Sequence, residues 1–141
     1  MKRLSLLVAL LGVVCMSPAL SHAFDYTGQW RGTITQSVNE CKNLGKGVPG
    51  DYMLTFIQKG DEFVGMENSV KRPYKGAVNP SRPQFVHLVG SYVATGGYVT
   101  ETVDLEFLTE TTGTGKSVWR WSNDFFSCGG NFTFTLEKVQ P

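Results

Sequence analysis

Residues 98–107 read Tyr-Val-Thr-Glu-Thr-Val-Asp-Leu-Glu-Phe. Val99, Val103, Leu105 and Phe107 fall on one side of an extended chain; Thr100, Thr102, Asp104 and Glu106 fall on the other. Successive side chains of a strand point to opposite faces, so this alternation predicts one face on a core and one in water. Glu101 alone interrupts the apolar side.

The same period recurs on either side of this stretch. Residues 131–139 set Phe132, Phe134 and Leu136 against Thr133, Thr135 and Glu137. Residues 28–37 set Trp30, Gly32 and Ile34 against Arg31, Thr33 and Thr35. Further strands are predicted over 52–59, 62–67, 73–78, 84–94 and 117–123, with turns at Gly60-Asp61, Asn79-Pro80-Ser81, Gly96-Gly97 and 112–115. Sustained helical periodicity is absent. The expected fold is therefore all-β, with eight strands in one domain.

Most connections are short, so consecutive strands pair antiparallel. Strands with one apolar face each bury it by closing on themselves, which also removes the sheet edges. The expectation is an eight-stranded antiparallel up-and-down barrel; a two-sheet sandwich is the alternative.

The chain has 141 residues and a formal charge of +1, room for one domain and no basic footprint for nucleic acid. Residues 1–23 read as a secretory signal peptide: Lys2 and Arg3, an apolar run too short for a bilayer, Pro18, then small residues before Phe24. Val14 is too large to precede an acylated Cys15. The expected destination is periplasmic or secreted, and the folded domain is 24–141, without a membrane span. Removing the leader takes away Cys15 and His22 and leaves Cys41, Cys128 and His87.

Two cysteines in an exported chain predict one disulfide. Cys41 falls between the first and second predicted strands, and Cys128 between the seventh and eighth. In a meander those connections share an end, and they become neighbours only if the last strand closes on the first. A bridge needs Cα atoms within about 7 Å, so the pair argues for closure. It would close a loop of roughly 88 residues, worth about 4 kcal/mol.

The first strand opens Thr27-Gly28-Gln29-Trp30-Arg31-Gly32. This Gly-x-Trp resembles the lipocalin and avidin group, the calycins. The resemblance implies that Trp30 plugs the closed end of the barrel, that Gly28 lets the chain bend beneath it, and that the long connection over 38–50 covers the mouth. Leu54-x-x-x-Gln58-x-Gly60 followed by Val64-Gly65 is similar to small lipocalin-like exported proteins. Residues 108–116 lack the Thr-Asp-Tyr element of lipocalins, and Lys138 is the nearest counterpart of their Trp-packing arginine. Arg31-Gly32 stands where avidins carry an asparagine for biotin, so no biotin site is implied. Small one-disulfide barrels with an early Gly-x-Trp also resemble bacterial metalloprotease inhibitors, although the Cys spacing of those is shorter. That likeness implies a protein partner met through an arm at Phe24-Asp25-Tyr26.

Few side chains suit catalysis. His87 lies mid-strand without a partner motif, either in a cavity or bonded locally at the surface. One imidazole outside the leader excludes a multi-histidine metal site, no cofactor motif is present, and no enzyme is expected. Asn131-Phe132-Thr133 fits a glycosylation sequon that a bacterial-type leader makes incidental. Trp119-Arg120-Trp121 fits two phases, and burial favours both Trp inside. Phe125-Phe126 either tucks under the disulfide or presents apolar contact. Lys42, Lys46, Lys71 and Arg72 fall in mouth-end connections, as a basic rim or as ordinary solubilising charge.

These residues predict an exported lipocalin-like binding module for a small apolar or amphipathic ligand, the alternative being a macromolecular binder of the protease-inhibitor kind. The expected contacts are Trp121, Tyr74, Phe125 and Phe126, with Arg120 or Glu101 supplying polarity.

Overall fold

The computed structural model describes residues 24–41, 50–94 and 96–140. The leader expected over 1–23, and Lys42 and Lys46 of the expected rim, lie outside them. Eight strands follow one another: β1 (Gly28–Asn39), β2 (Asp51–Lys59), β3 (Glu62–Glu67), β4 (Arg72–Asn79), β5 (Arg82–Ala94), β6 (Gly97–Phe107), β7 (Thr112–Ser122) and β8 (Ser127–Gln140). Each pairs antiparallel with its neighbours, and β8 pairs back onto β1, so the sheet is a closed barrel and not a sandwich.

The β1–β8 seam runs from Gln29 opposite Gln140 to Asn39 opposite Gly130, with register shifts after Gln29 and after Ile34. Such irregularities bend strands into a barrel wall. Just past the seam, Cys41 and Cys128 form the expected disulfide, with Cα atoms 5.3 Å apart.

Two strands begin earlier than the turn residues suggested. β7 starts at Thr112 rather than 117, and the turn falls at 108–111. There the Thr109 hydroxyl accepts the backbone N–H groups of Thr111 and Thr112 at 3.2 and 3.0 Å. β8 starts at Ser127 rather than 131, so Cys128 lies in the strand rather than in a loop. The glycines responsible provide space for rings instead of turning the chain. A Cβ on Gly115 would sit 2.1 Å from Cζ of Phe134, and one on Gly130 would sit 2.6 Å from Cζ2 of Trp119.

Aromatic rings fill the end where the chain enters. Trp30 is fully buried, and its indole N–H donates to the Tyr26 carbonyl at 2.9 Å. Tyr26 stacks on Phe107 at 3.7 Å, and Phe56 and Phe63 complete the plug. Gly28, at φ 138°, makes the bend that brings the strand over this cluster. The Lys138 ammonium lies 5.7 Å from the Trp30 ring and caps it from outside. Tyr26 is thus folded under the barrel, with Phe24 half-exposed beside it.

Candidate functional site

Among the described residues the other end of the barrel is open. The last residues of β1, β3, β5 and β7 and the first of β2, β4, β6 and β8 lie there. Beneath them is a cavity of about 350 Å³. Phe56, Leu88 and Leu105 form its floor, the upper side of the plug. Tyr52, Phe132 and Phe134 form one wall; Trp119 and Trp121 form another.

One row of paired residues explains how the large rings fit. Around the barrel Tyr74 faces Gly90, Gly90 faces Glu101, Glu101 faces Trp119, and Trp119 faces Gly130. A Cβ on Gly90 would lie 2.5 Å from Cδ1 of Tyr74. The Tyr74 ring therefore crosses its neighbouring strand over a glycine and reaches the strand beyond. Its hydroxyl donates to Glu101 Oε2 at 2.8 Å. Tyr52 lies over Gly32, and Trp121 over Gly97, in the same manner.

Glu101 is the centre of the polar part. It is 4% exposed, yet it lines the cavity. Besides Tyr74, the Tyr92 hydroxyl donates to Oε2 at 3.0 Å, and the Ser117 hydroxyl donates to Oε1. Four consecutive strands, β4 to β7, thus each supply one member of this cluster. Burying a carboxylate is costly unless it is hydrogen-bonded, and the three hydroxyls meet that need. Burial, and next the Glu101 charge, push the ionisations of Tyr74 and Tyr92 upward. Burial followed by the same charge does so for Tyr52. These hydroxyls therefore stay protonated at neutral pH.

Arg72 stands at the mouth side of this cluster. Its guanidinium lies 4.2 Å from the Tyr92 ring centre and donates to the Tyr92 hydroxyl at 3.2 Å. Glu67, also on the cavity wall, is engaged elsewhere. Its carboxylate accepts the Ser69 and Val70 backbone N–H groups at 3.0 Å each and the Ser69 hydroxyl at 2.5 Å, closing the β3–β4 turn.

Of the expected contacts, Tyr74, Glu101 and Trp121 line this cavity together. The inward phase of β7 carries both Trp119 and Trp121, and the Trp121 indole N–H donates to the Ala94 carbonyl at 2.7 Å. Phe126 packs on Trp121 with ring centres 5.1 Å apart, half-exposed at the rim. Phe126 thus meets the cavity only through Trp121, and two further expected contacts lie apart from it. Arg120 alternates with the two tryptophans and is exposed on the outer face, where its neighbours in the sheet are Thr100 and Gly129. Phe125 is 91% exposed in the turn organised by Asn123, whose Oδ1 accepts the Phe125 and Phe126 backbone N–H groups.

Tyr92 and Ser117 were not foreseen as partners of Glu101, nor Arg72 as the neighbour of Tyr92. Tyr92 shares parity with Val86, Leu88 and Gly90, all buried in the barrel. His87, of opposite parity, is on the outer face. There its Nδ1 meets Asp104 Oδ1 at 2.6 Å, directly across the β5–β6 pair, with both side chains mostly exposed. Among the described residues no three metal-ligating side chains come together, and no helix is long and apolar enough to cross a membrane. No known protein family, curated protein or solved structure matches this chain.

Proposed function

We propose that this chain is an exported, lipocalin-like binding module that holds one small amphipathic molecule inside its barrel, without catalysis. The observation that carries this is the cavity of about 350 Å³, with aromatic walls and a buried polar cluster around Glu101. Ligand sites typically span about 300–1,000 Å³, are largely apolar, and use a few placed polar groups to orient the guest. The cavity is at the small end of that range, which suits a molecule of one or two rings. Export rests on the leader pattern over 1–23 and on the Cys41–Cys128 bond, since such bonds persist in oxidising compartments.

Recognition of a protein through an N-terminal arm has less in its favour. Tyr26 is 2% exposed and stacked on Phe107, so that segment serves the plug.

Native mass spectrometry of protein purified from its own host tests the proposal. The expected result is a non-covalent small molecule that leaves on mild activation. A second arm titrates ligand-free protein with a neutral naphthalene-type fluorophore and follows quenching of Trp119 and Trp121. An empty protein that also excludes the fluorophore would overturn the proposal.

A further inference from the structure

Glu101 has an unusual set of companions. Its three hydrogen-bond donors are all neutral hydroxyls, from Tyr74, Tyr92 and Ser117. Among the described residues no basic nitrogen forms an ion pair with it. Arg72 approaches only as far as the Tyr92 hydroxyl, where it is already stacked on the Tyr92 ring. The hydroxyl dipoles solvate the carboxylate without cancelling its charge. A carboxylate offers about four acceptor positions, and three are occupied here. Oε2 takes two donors and Oε1 takes one, which leaves Oε1 able to accept one more.

The surrounding wall favours the same kind of guest. Trp119, Trp121, Tyr52 and Phe132 line the cavity with Glu101. Aromatic faces carry negative quadrupole charge and attract cations, most strongly where water is excluded. The other carboxylate on the wall, Glu67, adds charge of the same sign. Among the described residues, an anionic guest would meet two carboxylates and aromatic walls, with Arg72 at the mouth in its favour. A guest bearing a cation would meet a hydrogen-bond acceptor of opposite charge enclosed by those faces.

We propose that the ligand of this cavity is a small organic cation, a protonated aryl or alkyl amine, whose ammonium group seats against Glu101 inside the aromatic wall. This deepens the small-molecule binding function proposed above and rests on it. The ammonium donates to Oε1, and its apolar body lies on the floor made by Phe56, Leu88 and Leu105.

Three probes sharing one skeleton test it: 4-phenylbutylamine, 4-phenylbutanol and 4-phenylbutyrate, titrated calorimetrically into the full protein at neutral pH and low salt. The amine is expected to bind about tenfold or more tighter than the alcohol, and the butyrate weakest. Glu101→Gln should bring the amine-to-alcohol ratio to near one. Arg120→Gln, the removal of a charge on the outer face, should keep the ratio of the unaltered protein. Equal binding of amine and alcohol, tightest binding of the butyrate, or a ratio that survives Glu101→Gln would each overturn the cation assignment. In the first two cases the alcohol still binds, and the cavity keeps its role as a small-molecule site. If none of the three binds at millimolar concentration, the cation assignment and the binding function both fall. The three-probe series on the unaltered protein decides the matter even if Glu101→Gln does not fold.

Discussion

Removing the Cys41–Cys128 bond should destabilise the barrel by an amount set almost wholly by the unfolded chain. The two cysteines are 87 residues apart in sequence. Loop-closure entropy for a ring of that size is about 15 cal/mol/K, or about 4.6 kcal/mol at 25 °C. The native side of the balance should change little. β1 and β8 are paired up to Asn39 and Gly130, and the Glu40 N–H donates to the Gly129 carbonyl at 2.9 Å, so hydrogen bonds hold the seam beside the bridge. With a urea slope of about 1.5 kcal/mol/M, the midpoint should fall by about 3 M. The assay is equilibrium urea unfolding, followed by Trp fluorescence, of the oxidised protein and of the Cys41→Ala/Cys128→Ala double variant. The slope should also steepen, because an uncrosslinked denatured chain exposes more surface. A loss below about 1 kcal/mol would refute the reasoning, since the bond would then not be restricting the unfolded chain. A second, separate transition in the variant would refute it differently, by showing that the mouth end depends on the bond for its native structure.

Gly115→Val should cost about 1–3 kcal/mol by overpacking against Phe134, whereas Gly50→Ala, whose Cβ meets nothing within 4 Å, should be close to neutral in the same urea titration. Trp30→Ala should cost about 3–5 kcal/mol, read as a lowered thermal midpoint, because it empties the plug between Tyr26, Phe56 and Phe107. The buried tyrosines make stability fall at alkaline pH. Their folded ionisations are raised, so their contribution is intact below about pH 10 and is lost as pH rises and the unfolded chain ionises first. Tyr52 and Tyr74 should each remove up to about 1.4 kcal/mol per pH unit above that point. Tyr74→Phe should flatten this slope in urea titrations at pH 10 and 11. His87→Ala should change stability by less than about 1 kcal/mol, because its pairing with Asp104 is solvent-exposed, and it should leave ligand titrations unaltered.

The barrel was legible because its strands alternate cleanly where one face is wet. Residues 98–107 display that alternation without ambiguity, and the cysteine positions then selected closure over a sandwich. Strand starts were misread where glycine has a packing role. Gly113 and Gly115 lie inside β7, and Gly129 and Gly130 inside β8, although each pair reads locally as a turn. A glycine facing an aromatic ring on the neighbouring strand leaves no trace in the local sequence. The site was half visible for a related reason. Glu101 stood out as the one polar side chain on an apolar face. Its partners come from three other strands, and the nearest in sequence is Tyr92, nine residues away. β5 is apolar on both faces around Phe85–Val89, so parity alone did not say which of its side chains point inward. Arg120 was expected beside Glu101 as a source of polarity in the cavity. The tryptophans on either side of it occupy the interior, and alternation then puts Arg120 outside.

The seam also determines how the molecule would respond to a pulling force. The outer ends of β1 and β8 meet at the plugged end, where Gln29 faces Gln140. A load applied to the two ends would part these strands one hydrogen-bonded pair at a time, like a zipper, toward the mouth. Opening would stop at the Cys41–Cys128 bond, which passes the tension directly from one side to the other. β2 to β7 lie within the ring that this bond closes, and once β1 and β8 have also been stripped from β2 and β7 they would carry none of it. The covalent link thus confines mechanical extension to the segments outside the ring.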